Sequence, residues 1–302
     1  MPHVEGVEHR FVQAGSIRMH VAEAGAGDPV VLLHGWPQHW YEWRRLIPGL
    51  AERYRVICPD LRGLGWTDAP PGGYEKETLA EDVVNLLDAL ELERVRLIGH
   101  DWGGYVGFLL CLHHPERFSR YLALNIIHPW LKVDPRAGKD LWRVWYQVAL
   151  AMPGVGSRLL RSRPDLIPRM LKGGATRREA WTAEDLRAFA EPLREPARAT
   201  ASSAYYRTWL LREFIPLVRG RYRDKRLTVP TRLLFGVDDT AIPVGALEGY
   251  ERHADDMSVE LVPDTGHFIA EERPELVLER ALAFFGEEAQ PAAASRTRSS
   301  AS

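Results

Sequence analysis

Asp101 is the residue whose position most clearly suggests chemistry. It lies in the stretch LIGHDWGGYVG, residues 97–107, where an apolar strand pattern meets a glycine-flanked turn and then a helical pattern. Glycines at positions 99 and 103 relieve crowding in a sharp strand-to-helix turn, which lifts one side chain above the carboxyl edge of a sheet. A carboxylate is ionised near neutral pH and can attack an electrophilic carbon without a base. We therefore predict that Asp101 is a nucleophile that forms an ester, and the missing serine argues against a serine esterase or lipase.

A histidine and two adjacent aspartates follow later strand-like runs. Asp238 and Asp239 come after LLFGV, and His267 lies in the loop PDTGH after SVELV. We expect these strand ends to lie at the same sheet edge as Asp101. Hydrolysis of an ester needs a general base that activates water, and a carboxylate can orient a histidine for that task. The residues therefore predict that His267 is the base and that one of the two aspartates orients it.

A third feature is the stretch LLHGWPQ, in which a buried strand pattern ends at glycine. A glycine followed by a large residue at a strand's carboxyl end can aim a backbone N–H into a cleft. We predict that the N–H groups of Trp36 and Trp102 form a two-donor oxyanion hole beside Asp101. The nearby histidines His34 and His100 are expected to brace these loops and not to react.

The elements that must position these residues alternate between strand and helix patterns. Two alternating runs at the N-terminus, HRFVQAG and IRMHVAEAG, predict a hairpin or meander. Continuous apolar runs such as PVVLLHG are typical of strands buried on both faces. Helix-period segments separate these runs, and one of them, AIPVGALEGYERHA, is expected to form a turn and a helix. The alternation predicts an α/β fold with a mostly parallel, doubly wound sheet.

The alternation stops near residue 128 and resumes near 227. Residues 129–226 are rich in Trp, Arg, Tyr, Leu and Pro, with helix-like pieces and no clear strand. We therefore predict a core formed by residues 1–128 and 227–288 and a helical cap formed by residues 129–226. The Ala- and Ser-rich residues 289–302 are expected to be a disordered tail.

Taken together, HGWP, DLRGLGWTDAP, GHDWGG, the late DD and the late GH resemble the epoxide hydrolases of the α/β-hydrolase fold. The likeness covers nearly the whole chain except the tail. It implies the α/β-hydrolase fold with a cap. It also favours Asp239 over Asp238 as the orienting acid, because Asp239 has the family's place relative to the following IP.

The resemblance also implies two cap tyrosines that donate hydrogen bonds to an epoxide oxygen. The segment VWYQVALAMPGVG is similar to the first and indicates Tyr146, and SSAYYRTW is similar to the second and indicates Tyr206. Tyrosines in Trp-rich helices are otherwise core residues of the cap, and that interpretation stays open for both.

The expected function is an epoxide hydrolase that converts a small apolar epoxide and water to a vicinal diol through an ester on Asp101. The alternative is a haloalkane dehalogenase with the same nucleophile, histidine and late acid. Trp102 suits both classes, whereas Trp36 stands where many dehalogenases have asparagine, and a tyrosine pair has no use in binding halide. A non-catalytic relative is less favoured because both nucleophile and histidine are present.

Composition limits the partners. With 39 basic and 41 acidic residues, the formal charge of −2 gives no footprint for nucleic acid, and no uncharged apolar run predicts membrane insertion. Cys58 and Cys111 are too few for a disulfide framework and indicate a reduced, cytoplasmic protein. We expect no metal and no organic cofactor. The oligomeric state is open, and a homodimer is one possibility.

Overall fold

The computed structural model of the chain describes residues 1–131 and 145–287. In these residues one eight-stranded sheet has the strand order β1-β2-β4-β3-β5-β6-β7-β8. The strands are β1 (Glu8–Ala14), β2 (Ile17–Ala24), β3 (Pro29–Leu33), β4 (Arg55–Pro59), β5 (Val95–His100), β6 (Phe118–Leu124), β7 (Thr231–Gly236) and β8 (Met257–Val262). The pairs β1–β2 and β2–β4 are antiparallel, and the other pairs are parallel. The predicted fold class is thus confirmed.

Helices lie between successive strands from β3 to β7 and after the last strand. They are α1 (Ile47–Ala51), α2 (Lys76–Ala89), α3 (Asp101–His113), α4 (Trp145–Ala151), α5 (Val155–Ser162), α6 (Leu166–Gly174), α7 (Ala183–Ala190), α8 (Pro196–Thr208), α9 (Phe214–Val218), α10 (Ile269–Glu272) and α11 (Pro274–Gly286). A π-helical turn, Trp209–Glu213, joins α8 to α9. Helices α4 to α9 all lie between β6 and β7, in the part of the chain where no strand was predicted.

Both faces of the sheet are covered, as the continuous apolar strands predicted. Val31 packs in a cluster with residues of α2 and α3, whereas its neighbour Val30 packs in a second cluster with residues of α1 and α11. Alternate side chains of a strand point to opposite faces, so one short strand serves both layers. Helix α3 is buried along almost its whole length, which fixes the helix that begins at Asp101.

One predicted element is wrong. The stretch AIPVGALEGYERHA was expected to form a turn and a helix, but it forms two short 3₁₀ turns, Val244–Leu247 and Tyr250–Arg252. Gly249 separates them with a φ of +100°, a conformation that ends helices and that other residues rarely adopt.

Two predictions concern residues outside the described ranges. The expected disordered tail, residues 289–302, is one of them, and residues 132–144 of the expected cap are the other. Among the described residues, no helix is both long and apolar enough to cross a bilayer.

Candidate active site

The turn between β5 and α3 lifts the Asp101 side chain above the sheet edge. Asp101 has a φ of +47°, a strained conformation for a residue other than glycine. Gly103 makes this turn possible, because a Cβ there would lie 2.2 Å from the carbonyl oxygen of Leu33. The glycine pattern in the sequence thus corresponds to a close approach between α3 and the neighbouring strand.

Backbone donors hold one oxygen of Asp101. The N–H of Trp36 donates to Asp101 Oδ2 at 2.9 Å, and the N–H of Trp102 also hydrogen-bonds to this carboxylate. Gly35 lets the loop come this close, since a Cβ at position 35 would lie 2.5 Å from the Cβ of Asp101. The other oxygen, Oδ1, lies 3.7 Å from His267 Nε2. Oδ2 of Asp101 is therefore held by the backbone, whereas Oδ1 faces the histidine.

His267 lies between two carboxylates. Its Nδ1 is 2.8 Å from Asp239 Oδ2, and its Nε2 faces Asp101. The structure brings together Asp101, His267 and Asp239, while the side chain of Asp238 is exposed. Because Asp239 accepts at Nδ1, the tautomer that can take a proton at Nε2 is favoured.

Asp239 is held by four donors. Its Oδ1 accepts from the backbone N–H groups of Ala241 and Ile242 at 2.7 and 3.0 Å, and its Oδ2 accepts from Asn125 Nδ2 at 2.8 Å as well as from His267. Burial alone would raise the pKa of Asp239, but His267 and the hydrogen bonds outweigh it and lower this pKa. The acid therefore stays ionised beside the histidine.

The charge environment of His267 is set by the same carboxylates. Burial acts to lower its pKa, but Asp239 and then Asp101 favour the imidazolium and raise the pKa to about 9. Burial raises the pKa of Asp101, and His267, His100 and the backbone donors oppose this shift. In the resting site His267 is thus an imidazolium paired with two carboxylates, and it needs one of those charges removed before it can act as a base.

A cavity of about 390 Å³ opens over Asp101. Tyr146 from α4 and Tyr206 from α8 both line it, and their ring centroids are 5.9 Å apart. The rest of the described wall is mostly apolar and contains Trp36, Pro37, Met170, Gly173, Gly174, Thr240, Ala241, His267 and Phe268. The structure therefore places both predicted tyrosines on the cavity that contains the carboxylate.

Both phenols are protonated in this environment. Burial raises the pKa of Tyr146 to about 12 and raises that of Tyr206 well above its ordinary value, with the Asp101 charge acting in the same direction. The neighbouring Tyr205 points elsewhere, and its hydroxyl donates to the carbonyl oxygen of Arg62 at 2.8 Å. Tyr146 and Tyr206 are therefore available as O–H donors towards the cavity.

Sequence reasoning missed a buried acid beneath the site. Glu42 Oε2 accepts from the N–H of Gly35 at 3.1 Å, and Glu42 Oε1 lies 2.7 Å from His100 Nδ1. The other nitrogen of His100, Nε2, is 2.9 Å from the carbonyl oxygen of His267. Glu42 raises the pKa of His100. This pair braces the oxyanion loop, the nucleophile turn and the histidine loop together, the role expected for His100.

Asn125 is a second residue whose role was missed. It follows β6 at the same sheet edge, where its Nδ2 donates to Asp239 and its Oδ1 accepts from the N–H of Gly236 at 3.2 Å. The signal was present in the sequence, because Asn125 ends a strand next to the one that leads to Asp239.

Two observations describe the charged groups of the site. Among the described residues, no group of three or more His, Cys, Asp or Glu side chains could hold a metal ion. The acidic and basic side chains on the described cavity wall are Asp101 and His267.

Comparison with known proteins shows the family to which the chain belongs. The α/β-hydrolase fold family matches residues 28–149. A soluble epoxide hydrolase from Corynebacterium sp. (strain C12) is 32% identical over 92% of this chain and 97% of its own length. A fluoroacetate dehalogenase from Burkholderia sp. is 32% identical over 67% of this chain and 69% of its own.

A solved structure of the epoxide hydrolase CorEH without ligand superposes with a TM-score of 0.80 at 29% identity, over 92% of this chain and 98% of that chain. The chain therefore belongs to the α/β-hydrolase family. Within that family it is homologous to epoxide hydrolases over most of its length.

Proposed function

We propose that this protein is an epoxide hydrolase that converts a small apolar epoxide to a vicinal diol through an ester on Asp101. The observation that carries the proposal is the pair Tyr146 and Tyr206 on the same cavity as Asp101. Opening of an epoxide needs a nucleophile on one side of the carbon and a donor to the departing oxygen on the other. A carboxylate and two protonated phenols across an apolar cavity supply both.

In the first step Asp101 Oδ1 attacks an epoxide carbon and the C–O bond of the ring breaks. Oδ1 is the attacking atom because the backbone N–H of Trp36 holds Oδ2. The developing alkoxide accepts hydrogen bonds and then a proton from the phenols of Tyr146 and Tyr206, whose donors act where charge appears in the transition state. The product of this step is a hydroxyalkyl ester of Asp101.

Ester formation prepares the base for the second step. It removes the negative charge of Asp101, one of the two carboxylates that raise the pKa of His267. The loss of that charge lowers the pKa of His267, so the imidazolium loses its proton and leaves Nε2 free to accept one from water. The proton that His267 releases restores the phenol that gave its proton to the alkoxide.

Water then adds to the acyl carbon of Asp101. His267 Nε2 takes the water proton, and Asp239 stabilises the imidazolium that forms. The negative charge passes to Oδ2, where the N–H groups of Trp36 and Trp102 stabilise it. The acyl C–O bond breaks, the proton on His267 goes to the leaving oxygen, and the diol departs. The Asp101 carboxyl group then gives its remaining proton to His267, which restores the carboxylate and the imidazolium. The oxygen atom from water stays in the Asp101 carboxylate.

We further propose that residues 129–226 act as a cap over a core of residues 1–128 and 227–288. Asp101, Asp239 and His267 come from the ends of the core strands, whereas Tyr146 and Tyr206 come from helices between β6 and β7. The ester chemistry would thus belong to the core and the recognition of the leaving oxygen to the cap.

A haloalkane dehalogenase is the second candidate. The indole nitrogen Nε1 of Trp36 is buried and has no hydrogen-bond partner among the described residues, and the side chain of Trp102 faces the Tyr206 hydroxyl. Indole N–H groups near a carboxylate could bind a departing halide. The phenols of Tyr146 and Tyr206 line the same cavity and can bind a departing oxygen. This pair is the reason that we favour the epoxide hydrolase.

Two assays on the purified protein separate the candidates. Styrene oxide should give phenylethanediol, measured by chromatography, while 1-bromobutane should release little bromide. The Asp101→Asn variant should lose the diol activity and serves as the control for background hydrolysis. Bromide release without diol formation would refute the epoxide hydrolase and support the dehalogenase.

A further inference from the structure

Lys76 is a buried lysine directly behind the site. It occupies the first position of α2, and its side chain has no exposed surface. Its Nζ donates to Glu213 Oε2 at 2.9 Å and to the carbonyl oxygen of Tyr205 at 3.0 Å. The same Nζ lies 4.4 Å from the ring centroid of Trp102. One cation thus touches the residue that follows the nucleophile and the residue that precedes Tyr206.

This position is an unfavourable one for a lysine. The N-terminus of a helix carries partial positive charge, so a cation there is destabilising. Burial also disfavours the charged form and lowers the pKa of Lys76, while Glu213 opposes that shift. Glu213 stabilises this lysine through two contacts. Its Oε2 accepts from the ammonium, and its Oε1 accepts from the backbone N–H of Lys76 at 2.7 Å. A buried lysine that needs a dedicated carboxylate partner is costly, which suggests that Lys76 has a role besides filling space.

The contacts of Lys76 lead to the oxygen-binding end of the cavity. The rings of Trp102 and Tyr206 meet edge to face with centroids 6.0 Å apart, so the indole lies between the ammonium and the phenol. A cation over an indole face is attracted by the ring quadrupole and fixes the plane of the ring. The bond to the Tyr205 carbonyl fixes the end of α8 from which Tyr206 projects.

We propose that Lys76 is a positioning residue for epoxide opening. Its ammonium holds the Trp102 ring and the Tyr205–Tyr206 end of α8 in place, and through them it orients the Tyr206 phenol. This inference rests on the proposed function and adds a residue to its first step. The second step uses His267 and Asp239 and no phenol, so it should depend much less on Lys76.

The expected effect is one of position, because the ammonium is paired with Glu213 at 2.9 Å and acts on the cavity through Trp102 and the Tyr205 carbonyl. A small displacement of a reacting group can change a rate by roughly tenfold or more. Loss of Lys76 should therefore slow ester formation about tenfold or more. Hydrolysis of the ester should change by less than about twofold, since that step uses His267, Asp239 and backbone N–H groups and not the Tyr206 phenol.

The test measures both steps with styrene oxide by rapid-quench mass spectrometry of the ester and by diol formation. The main variant is Lys76→Met, and the double variant Lys76→Met/Glu213→Gln avoids leaving an unpaired buried carboxylate. Lys76→Arg keeps the charge. Glu77→Gln is the matched control, because Glu77 also joins α2 to the following helical region through Tyr222, at 2.9 Å, without touching the cavity.

We expect slower ester formation in both methionine variants, nearly normal ester hydrolysis, partial recovery in Lys76→Arg and no effect in Glu77→Gln. Equal loss of both steps, or normal ester formation in a folded double variant, would overturn the inference. These comparisons require that the wild-type protein forms the diol. A wild-type protein without diol activity would instead refute the proposed function.

Discussion

The pKa of His267 should fall when Asp101 loses its charge, and the Asp101→Asn variant tests this directly. Asparagine has nearly the same shape and can keep the contact with the N–H of Trp36, so the main change is the removal of one negative charge. In the wild-type protein the pKa of His267 is raised to about 9, with burial opposing Asp239 and Asp101. The proposed mechanism requires this value to drop once Asp101 is esterified.

The size of the fall follows from the 3.7 Å between His267 Nε2 and Asp101 Oδ1. Opposite unit charges at that distance interact by about 4 kcal/mol at an effective dielectric constant of 20, which corresponds to about three pKa units. Both charges are delocalised, so their effective separation is larger and the change is smaller. We expect the pKa of His267 to fall from about 9 to about 7 in Asp101→Asn.

The assay is an NMR titration of protein labelled with ¹⁵N-histidine, with the His267 signals assigned by their absence in His267→Gln. Asp238→Asn is the control, because Asp238 is exposed and should leave the titration unchanged. A raised pKa stabilises the folded protein fully below pH 6.5, and this contribution is lost as the pH rises through about 9. A pKa that stays near 9 in Asp101→Asn would refute the switching of His267 by ester formation.

Five further substitutions have defined outcomes. Tyr146→Phe and Tyr206→Phe should each slow epoxide opening at least about tenfold. The double variant should abolish epoxide opening while keeping the wild-type circular dichroism spectrum. Near-normal turnover in the double variant would mean that both tyrosines are core residues of the cap. His267→Gln should form the ester without hydrolysing it, so the intact mass should rise by the mass of the epoxide. Asn125→Ala removes a donor to the buried carboxylate, and we expect about 2 kcal/mol less unfolding free energy in urea melts. Gly35→Ala should reduce activity at least about 100-fold, because its Cβ would displace Asp101, and the same clash should lower the melting temperature.

The sheet and the nucleophile turn could be predicted from sequence because both depend on local patterns. Continuous apolar runs indicate strands buried on both faces, and the glycines around Asp101 mark a turn with little room. The stretch that forms 3₁₀ turns around Gly249 was wrongly predicted as a helix, since its apolar spacing outweighed its glycines.

The supporting residues of the site could not be predicted in the same way. Glu42 and His100 are far apart in sequence, and each looks ordinary in its own segment. Lys76 resembles the exposed lysine of an amphipathic helix, and only the packing of α8 and the π-helical turn over α2 buries it. These roles arise from contacts between distant elements, and neither periodicity nor motif spacing carries that information.

A covalent ester on Asp101 should lie on the reaction path. A single turnover in ¹⁸O-water tests for this ester by showing where the oxygen atom of water goes. Enzyme in excess over styrene oxide should give a first diol without label and an Asp101-containing peptide heavier by one ¹⁸O atom. The diol oxygen then comes from Asp101, and the water oxygen remains in the carboxylate. Label in the first diol with none in the Asp101 peptide would contradict the account, because water would then have attacked the epoxide directly.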